Sequence, residues 1–251
     1  MQPFEFSLMH PTRLLLLVAL WLPLGGLLAA PAAPSFAAAT SAFLQKYVRA
    51  DGNVNYAAIK KQPAELKALL QTVQSFDAKA ASAAERKAFY LNAYNVTVIG
   101  AVVERYPLAS VMKVPGFFDK LKFTVAGEQM TINELETNKL RKPYNDPRIH
   151  FALVCAAKGC PRLSREAFAA ATLDAQLAAQ TKRVLTDPTF IRPDAKAKKV
   201  QVSEIFKWYA ADFKAPGPAL IHYLNQYRAA QPIPATYTVD YYAYDWSLNE
   251  G

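Results

Sequence analysis

Cysteine and histidine are both scarce, at 2 Cys and 3 His in 251 residues. His10 lies in the leader discussed below, which leaves His150 and His222. Two thiols and so few imidazoles do not assemble a four-ligand zinc site at its usual spacings, so neither a metal nor another cofactor is expected. The chain has no structural repeat and no sustained heptad, which excludes solenoid and coiled-coil architectures. No Gly/Ser-rich linker interrupts residues 40–251, so a single domain is expected there. Nor is there a nucleic-acid-binding motif, and nucleic acid is set aside as a partner.

What is plentiful is apolar and aromatic content: 52% of residues are hydrophobic, with 13 Tyr, 14 Phe and 3 Trp. Such a chain can bury a core without disulfides, and it is not disordered. Its first part has the order of a secretory signal. Arg13 precedes the apolar run 14–30, which contains Pro23, Gly25 and Gly26, and small residues follow to position 39. The run is short for a span of ~30 Å and is broken by its Pro and Gly residues, which favours a cleaved signal over a membrane anchor. The leader is therefore read over 1–39, with a cut after Ala39 and cuts after Ala32 or Ala37 as alternatives. No cysteine near the junction offers a lipid site. The remaining protein is expected to be exported, periplasmic or secreted, with no stable membrane anchor. Its formal charge of +9 survives cleavage because Glu5 and Arg13 cancel. That excess suits an anionic envelope component, although a solvated basic face is the plainer reading.

Periodicity and caps supply the elements. A short helix is read over 40–48, and a second begins at Pro63 with Leu66, Leu69, Leu70 and Val73 on one face. Ser82 and Glu85 form a capping box that opens a long helix towards Arg105; its middle is apolar nearly all round, as in a buried central helix. Residues 121–125 and 128–131 flank Ala126-Gly127 as a hairpin. Thr131 and Glu134 form a second capping box, opening a helix to about Arg141. Residues 148–155 read as a central strand and 168–185 as an Ala-rich helix. A second hairpin is expected over 190–193 and 199–202. Helices follow over 203–213 and 217–228, and a Tyr-rich strand over 236–246. The class is α+β: a single domain with a mostly antiparallel sheet packed on a long buried central helix, and further surface helices.

Four segments carry a resemblance: Ala88-Phe-Tyr-Leu-Asn-Ala-Tyr-Asn95, Asp146-Pro-Arg-Ile-His-Phe-Ala-Leu-Val-Cys-Ala-Ala-Lys-Gly-Cys-Pro161, Ile205-Phe-Lys-Trp-Tyr-Ala-Ala-Asp-Phe213 and Tyr244-Asp-Trp-Ser-Leu-Asn249. In this order they resemble the domain-of-unknown-function 547 family (DUF547), with a core over about 80–185. The resemblance brings no established reaction with it.

Chemistry must then be argued from side chains. On a strand, His150 and Cys155 would face opposite ways, so Cys160 is the better candidate nucleophile. The turn before it could return its sulfur towards His150 as base, with Asp245 or Asn249 orienting the imidazole. This is the pattern of a thiol-dependent hydrolase or acyl-transferase. The competing reading is a Cys155–Cys160 disulfide, since thiols five apart across a glycine turn in an oxidising compartment tend to be oxidised. That reading is preferred. Asn92 and Asn95 share a helix face and require partners; they either hold neighbouring backbone or line a polar cleft between helix and sheet. Arg148 could recognise an anion, and Glu136 and Arg141 need remote partners. Asp245, Ser247 and Asn249 share one face of the last strand and could form the far wall of the cleft. A non-catalytic binding or scaffold module is favoured over the thiol enzyme.

Overall fold

The computed structural model describes Met1, residues 34–213 and residues 217–251. The leader expected over 1–39 therefore falls outside the described residues at positions 2–33. Immediately after it, the Ser35 side chain accepts from the Ala38 N–H and caps α1 (Phe36–Tyr47). Ala39 thus lies in the first turn of that helix. α2 (Tyr56–Lys61) and α3 (Ala64–Ser75) follow, the latter entered through Pro63.

The expected capping box is present. The Ser82 hydroxyl accepts from the Glu85 N–H at 3.3 Å, and the Glu85 carboxylate accepts from the Ser82 N–H at 2.8 Å. It launches α4 (Ala83–Arg105), which stops at Tyr106-Pro107. Every residue from Ala88 to Ile99 is buried, because α1, α2, α3 and a later π-helical stretch enclose the helix. Phe89 stacks on Phe76 with ring centroids 3.7 Å apart.

β1 (Lys122–Val125) and β2 (Glu128–Thr131) form the first hairpin, with Ala126 and Gly127 both at positive φ in its turn. The second capping box, Thr131 with Glu134, opens α5 (Ile132–Glu134). A π-helical stretch (Leu135–Arg141) and α6 (Lys142–Tyr144) complete one continuous helical run. Wider turns of this kind cluster at functional sites, and this one buries the carboxyl of Glu136.

The expected central strand is not formed. Asp146 Oδ1 accepts from the Arg148 N–H at 3.0 Å, and this Asx turn after Pro147 starts α7 (Ile149–Ala152). The chain becomes extended only from Leu153. Its backbone there finds a side chain in place of a neighbouring strand: Asn95 Nδ2 donates to the Ala152 carbonyl, and the Val154 N–H donates to Asn95 Oδ1, both at 3.0 Å. One amide thus reproduces a rung of a ladder.

α8 (Leu173–Thr186) is followed by β3 (Ile191–Asp194), β4 (Lys199–Ser203), α9 (Ile205–Trp208), α10 (Pro218–Asn225) and β5 (Thr238–Tyr242). Residues 168–172, read as the start of α8, lie before it. The helix expected over 203–213 ends at Trp208. The second sheet has order β3-β4-β5; β3 pairs antiparallel with β4, but β5 runs parallel to β4. Two of the three strand pairings are thus antiparallel, distributed over two small sheets where one was expected.

Residues from Pro34 to Gly251 make one compact unit of α+β class. Its interior has two clusters. One surrounds α4; the other gathers Phe151, Phe190, Phe206 and Phe213 with β3, β4 and α10. Cys160 and Trp246 pack against both.

Candidate functional site

The segment between Cys155 and Cys160 is a tight loop clamped by the C-terminal residues. Ala156 sits at a φ of 65°, an uncommon conformation for a residue with a side chain. The Asn249 N–H donates to the Ala156 carbonyl at 3.0 Å. Lys158 donates to Ser247 and Gly159 to Asp245, each at 2.8 Å. Gly159 is required here: a Cβ at this position would lie 2.9 Å from both the Asp245 nitrogen and the Tyr244 ring. The loop is thereby pressed against Tyr244.

This packing brings three polar atoms together. Both cysteines are free, with their sulfurs 2.7 Å apart. The expected disulfide is not formed in this structure. Cys160 Sγ accepts from the Cys155 N–H at 3.0 Å and from the Tyr244 hydroxyl at 2.9 Å; the same hydroxyl lies 3.2 Å from Cys155 Sγ. The two thiols are pushed apart in acidity. Burial opposes the Cys160 thiolate, but the hydrogen bonds from Cys155, Tyr244 and the backbone outweigh it and hold this thiol below its ordinary pKa. The bond with Cys160, followed by burial, raises Cys155 well above it.

The sulfurs open into a hollow of about 350 Å³. Tyr94 of α4, Glu136 of the π-helical stretch, His150 of α7 and Trp208 of α9 contribute to it, as do Phe118, Tyr209, Tyr244 and Trp246. Trp208, 45% exposed, stacks on Trp246 at the rim.

His150 belongs to this hollow but not to a thiol–imidazole pair. Its Nε2–H donates to Asp212 Oδ2 at 2.7 Å, and its ring stacks on Tyr209 at 3.9 Å. Arg141 Nε donates to the same Asp212 oxygen at 2.9 Å, and the guanidinium lies 4.5 Å from the Tyr209 ring centre. Burial lowers the His150 pKa to about 4, outweighing the Asp212 carboxylate that raises it. The ring is therefore neutral at pH 7. The Glu136 carboxyl is raised by burial, against hydrogen bonds from the Tyr209 and Tyr94 hydroxyls. Remote partners were expected for Glu136 and Arg141, and these are the residues that meet them.

The other candidates are placed elsewhere. Asn92 donates to the Phe168 carbonyl at 2.8 Å and accepts from the Phe168 N–H at 2.9 Å, so its amide is fully used on backbone. Asn95 is likewise used on Ala152 and Val154. Neither lines the hollow. Arg148 pairs with Asp146 at 2.9 Å and with Asp174 at 2.8 Å. Asn249 is buried and accepts from the Tyr56 hydroxyl at 2.7 Å. Asp245 is exposed and accepts from the Ser247 N–H; it lines, with Asn249, a second hollow of about 440 Å³ on the other side of the cysteine loop. The cleft drawn between helix and sheet is thus replaced by one among helical segments and the C-terminal segment that follows β5. The carboxylate bonded to His150 is that of Asp212, not that of Asp245. The signal for Asp212 was the acidic residue of the stretch 205–213, whose other charged residue is Lys207. Among the described residues, no three His, Cys, Asp or Glu side chains cluster as a metal site.

A single-domain α+β protein with an unbridged thiol pair at the floor of an aromatic hollow is the class that fold and site define. Residues 78–185 match the family described as "Protein of unknown function, DUF547", and the chain is a DUF547 domain-containing protein. The match spans α4 to α8 and includes Glu136, His150 and both cysteines, while Trp208, Asp212 and Tyr244 lie beyond it. No curated protein and no solved structure matches the chain.

Proposed function

We propose that this protein is an exported binding module whose hollow between α4, α7, α9 and the C-terminal segment holds a small, uncharged, largely apolar ligand. One observation carries the reading: a hollow of about 350 Å³ with an aromatic wall and a few convergent polar groups. Ligand sites have this size and this mixture. Its polar lining includes His150, which burial keeps neutral at pH 7, and Glu136, whose carboxyl burial raises above its ordinary value. Export is supported by the basic, apolar and small-residue order of the leader. No helix among the described residues is long and apolar enough to cross a membrane. The charge of +9 supports residence near an anionic envelope component.

Titration with a neutral solvatochromic dye, followed by tryptophan emission, tests this reading. Saturable binding at one site per chain is expected, weakened about tenfold in Trp208→Ala, which loses aromatic stacking and buried area worth ~1–2 kcal/mol. Equal binding by both proteins would remove the hollow as the ligand site.

A second reading, acyl transfer or hydrolysis on Cys160, is favoured by the lowered pKa of a thiol facing the hollow. In this reading Asp212 orients His150, whose Nε2 it already occupies, and Asp245 has no part. Repeated turnover of an activated ester that stops in Cys160→Ser would select it over the non-catalytic reading.

A further inference from the structure

We infer that Cys160 and Cys155 form an exchange-active dithiol that reduces a small disulfide seated in the aromatic hollow, with Cys160 attacking and Cys155 resolving. The inference deepens the binding reading and rests on the hollow being the ligand site.

Geometry carries it. The sulfurs are 2.7 Å apart on a loop whose two ends are already folded together, so little motion separates the free pair from a bond of ~2.04 Å. Both side chains line the hollow, so a disulfide within it meets sulfur directly. The two positions are not equivalent. Three groups converge on Cys160: the Cys155 N–H, the Cys155 thiol and the Tyr244 hydroxyl. Thiolates are stabilised by such donors, and the thiolate is the nucleophile.

The electrons balance without a cofactor. The Cys160 thiolate attacks one sulfur of the ligand disulfide; that S–S bond breaks, and one ligand thiolate leaves and takes up a proton. Cys160 is then joined to the other half of the ligand. The Cys155 thiol gives up its proton and attacks Cys160 Sγ, expelling the second ligand thiolate. Two protein thiols are oxidised to one disulfide and the ligand disulfide is reduced to two thiols.

The probe is bis(2-hydroxyethyl) disulfide, which is small and neutral. With wild type, loss of both alkylatable thiols and release of two mercaptoethanol molecules per chain are expected. Cys155→Ser should stop halfway, with one mercaptoethanol held on Cys160 in the peptide map. Cys160→Ser should react at the slow rate of the unfolded chain. Tyr244→Phe, which keeps the ring, should slow attack about threefold for each unit by which the Cys160 pKa rises, since lost thiolate is half offset by greater nucleophilicity. Limiting iodoacetamide on wild type needs no variant to fold, and it should label Cys160 before Cys155. Equal labelling, or equal trapping by the two serine variants, overturns the assignment of roles. Retention of both thiols in wild type overturns the exchange itself. Dye binding measured on the same samples separates the outcomes: dye bound without exchange leaves the binding reading standing, and exchange without dye binding does the reverse.

Discussion

His150 shows how little a single residue's identity says about its role. It was a candidate base because it was one of two imidazoles available. The structure seats it 3% exposed at the side chain, bonded to Asp212 and stacked on Tyr209, where its charged form is disfavoured. A folded pKa of about 4, below the unfolded value, means that the native state prefers the neutral ring. The resulting stability is fully present above pH ~6.5 and is lost as pH falls through the window down to about 4, a loss of about 3 kcal/mol if the shift is complete. Asp212 and Asp146 have lowered pKa values, so their contributions are lost mainly at more acid pH than that of His150, and Glu136, whose pKa is raised, acts in the opposite direction. His150→Gln can still donate to Asp212 and does not titrate. Denaturant unfolding from pH 7 to pH 4 should therefore show the variant losing about 3 kcal/mol less than wild type, and parallel curves would contradict the assigned pKa. The imidazole itself was legible in the sequence, but its partner was not. Asp212 is 62 residues away, and nothing local links the two.

At the scale of elements, the legible parts were those whose signals are local. Both capping boxes, the Ala126-Gly127 turn and the long apolar helix are set by residues within a turn of one another, and all are present. The strand read over 148–155 failed because its apolar run has two physical solutions. Continuous burial fits a central strand, but an Asx turn and a side-chain ladder from Asn95 satisfy the same backbone with α7. The error mattered, since strand alternation had separated His150 from Cys155, whereas a helical turn sets both at one hollow. α1 carries a further consequence. Its cap is Ser35, and the Phe36 ring lies 5.4 Å from that of Phe89, both ahead of the cut placed after Ala39. A signal cut after Ala32 leaves the helix whole. A protein starting at Thr40 should be less stable than one starting at Pro34 by about 2 kcal/mol, from one lost cap and a partly buried ring. Urea midpoints of the two would measure this, and the N-terminal mass of the protein purified from its own cells would test the proposed export and its cut. Identical midpoints would leave the cut after Ala39 equally acceptable.

For the whole molecule, the site belongs to no single element. The hollow lies where the two core clusters meet, and Cys160 and Trp246 pack on both. The absence of a linker and the order of helices and hairpins foretold a single-domain α+β class. They could not foretell this junction, because the walls come from positions 94 to 246 and are assembled only by the completed fold. The sulfurs depend on the most distant of these contributions. Deleting residues 247–251 removes the backbone partners of Ala156 and Lys158 while sparing every residue that lines the hollow. Cys160 in the shortened chain should lose its head start over Cys155 towards iodoacetamide, with α4 and its helical signal retained. An unchanged ratio would show that the loop holds its own shape.

The same ribbon has one more attachment. Val54 donates to the Asn249 carbonyl, and its own carbonyl accepts from the Gly251 N–H, so the last residues are stitched on one side to the start of the domain and on the other to the cysteine loop. The tail works as a latch on the sulfurs. Loss of this ribbon would slacken the thiol pair while every wall of the cavity was still in place.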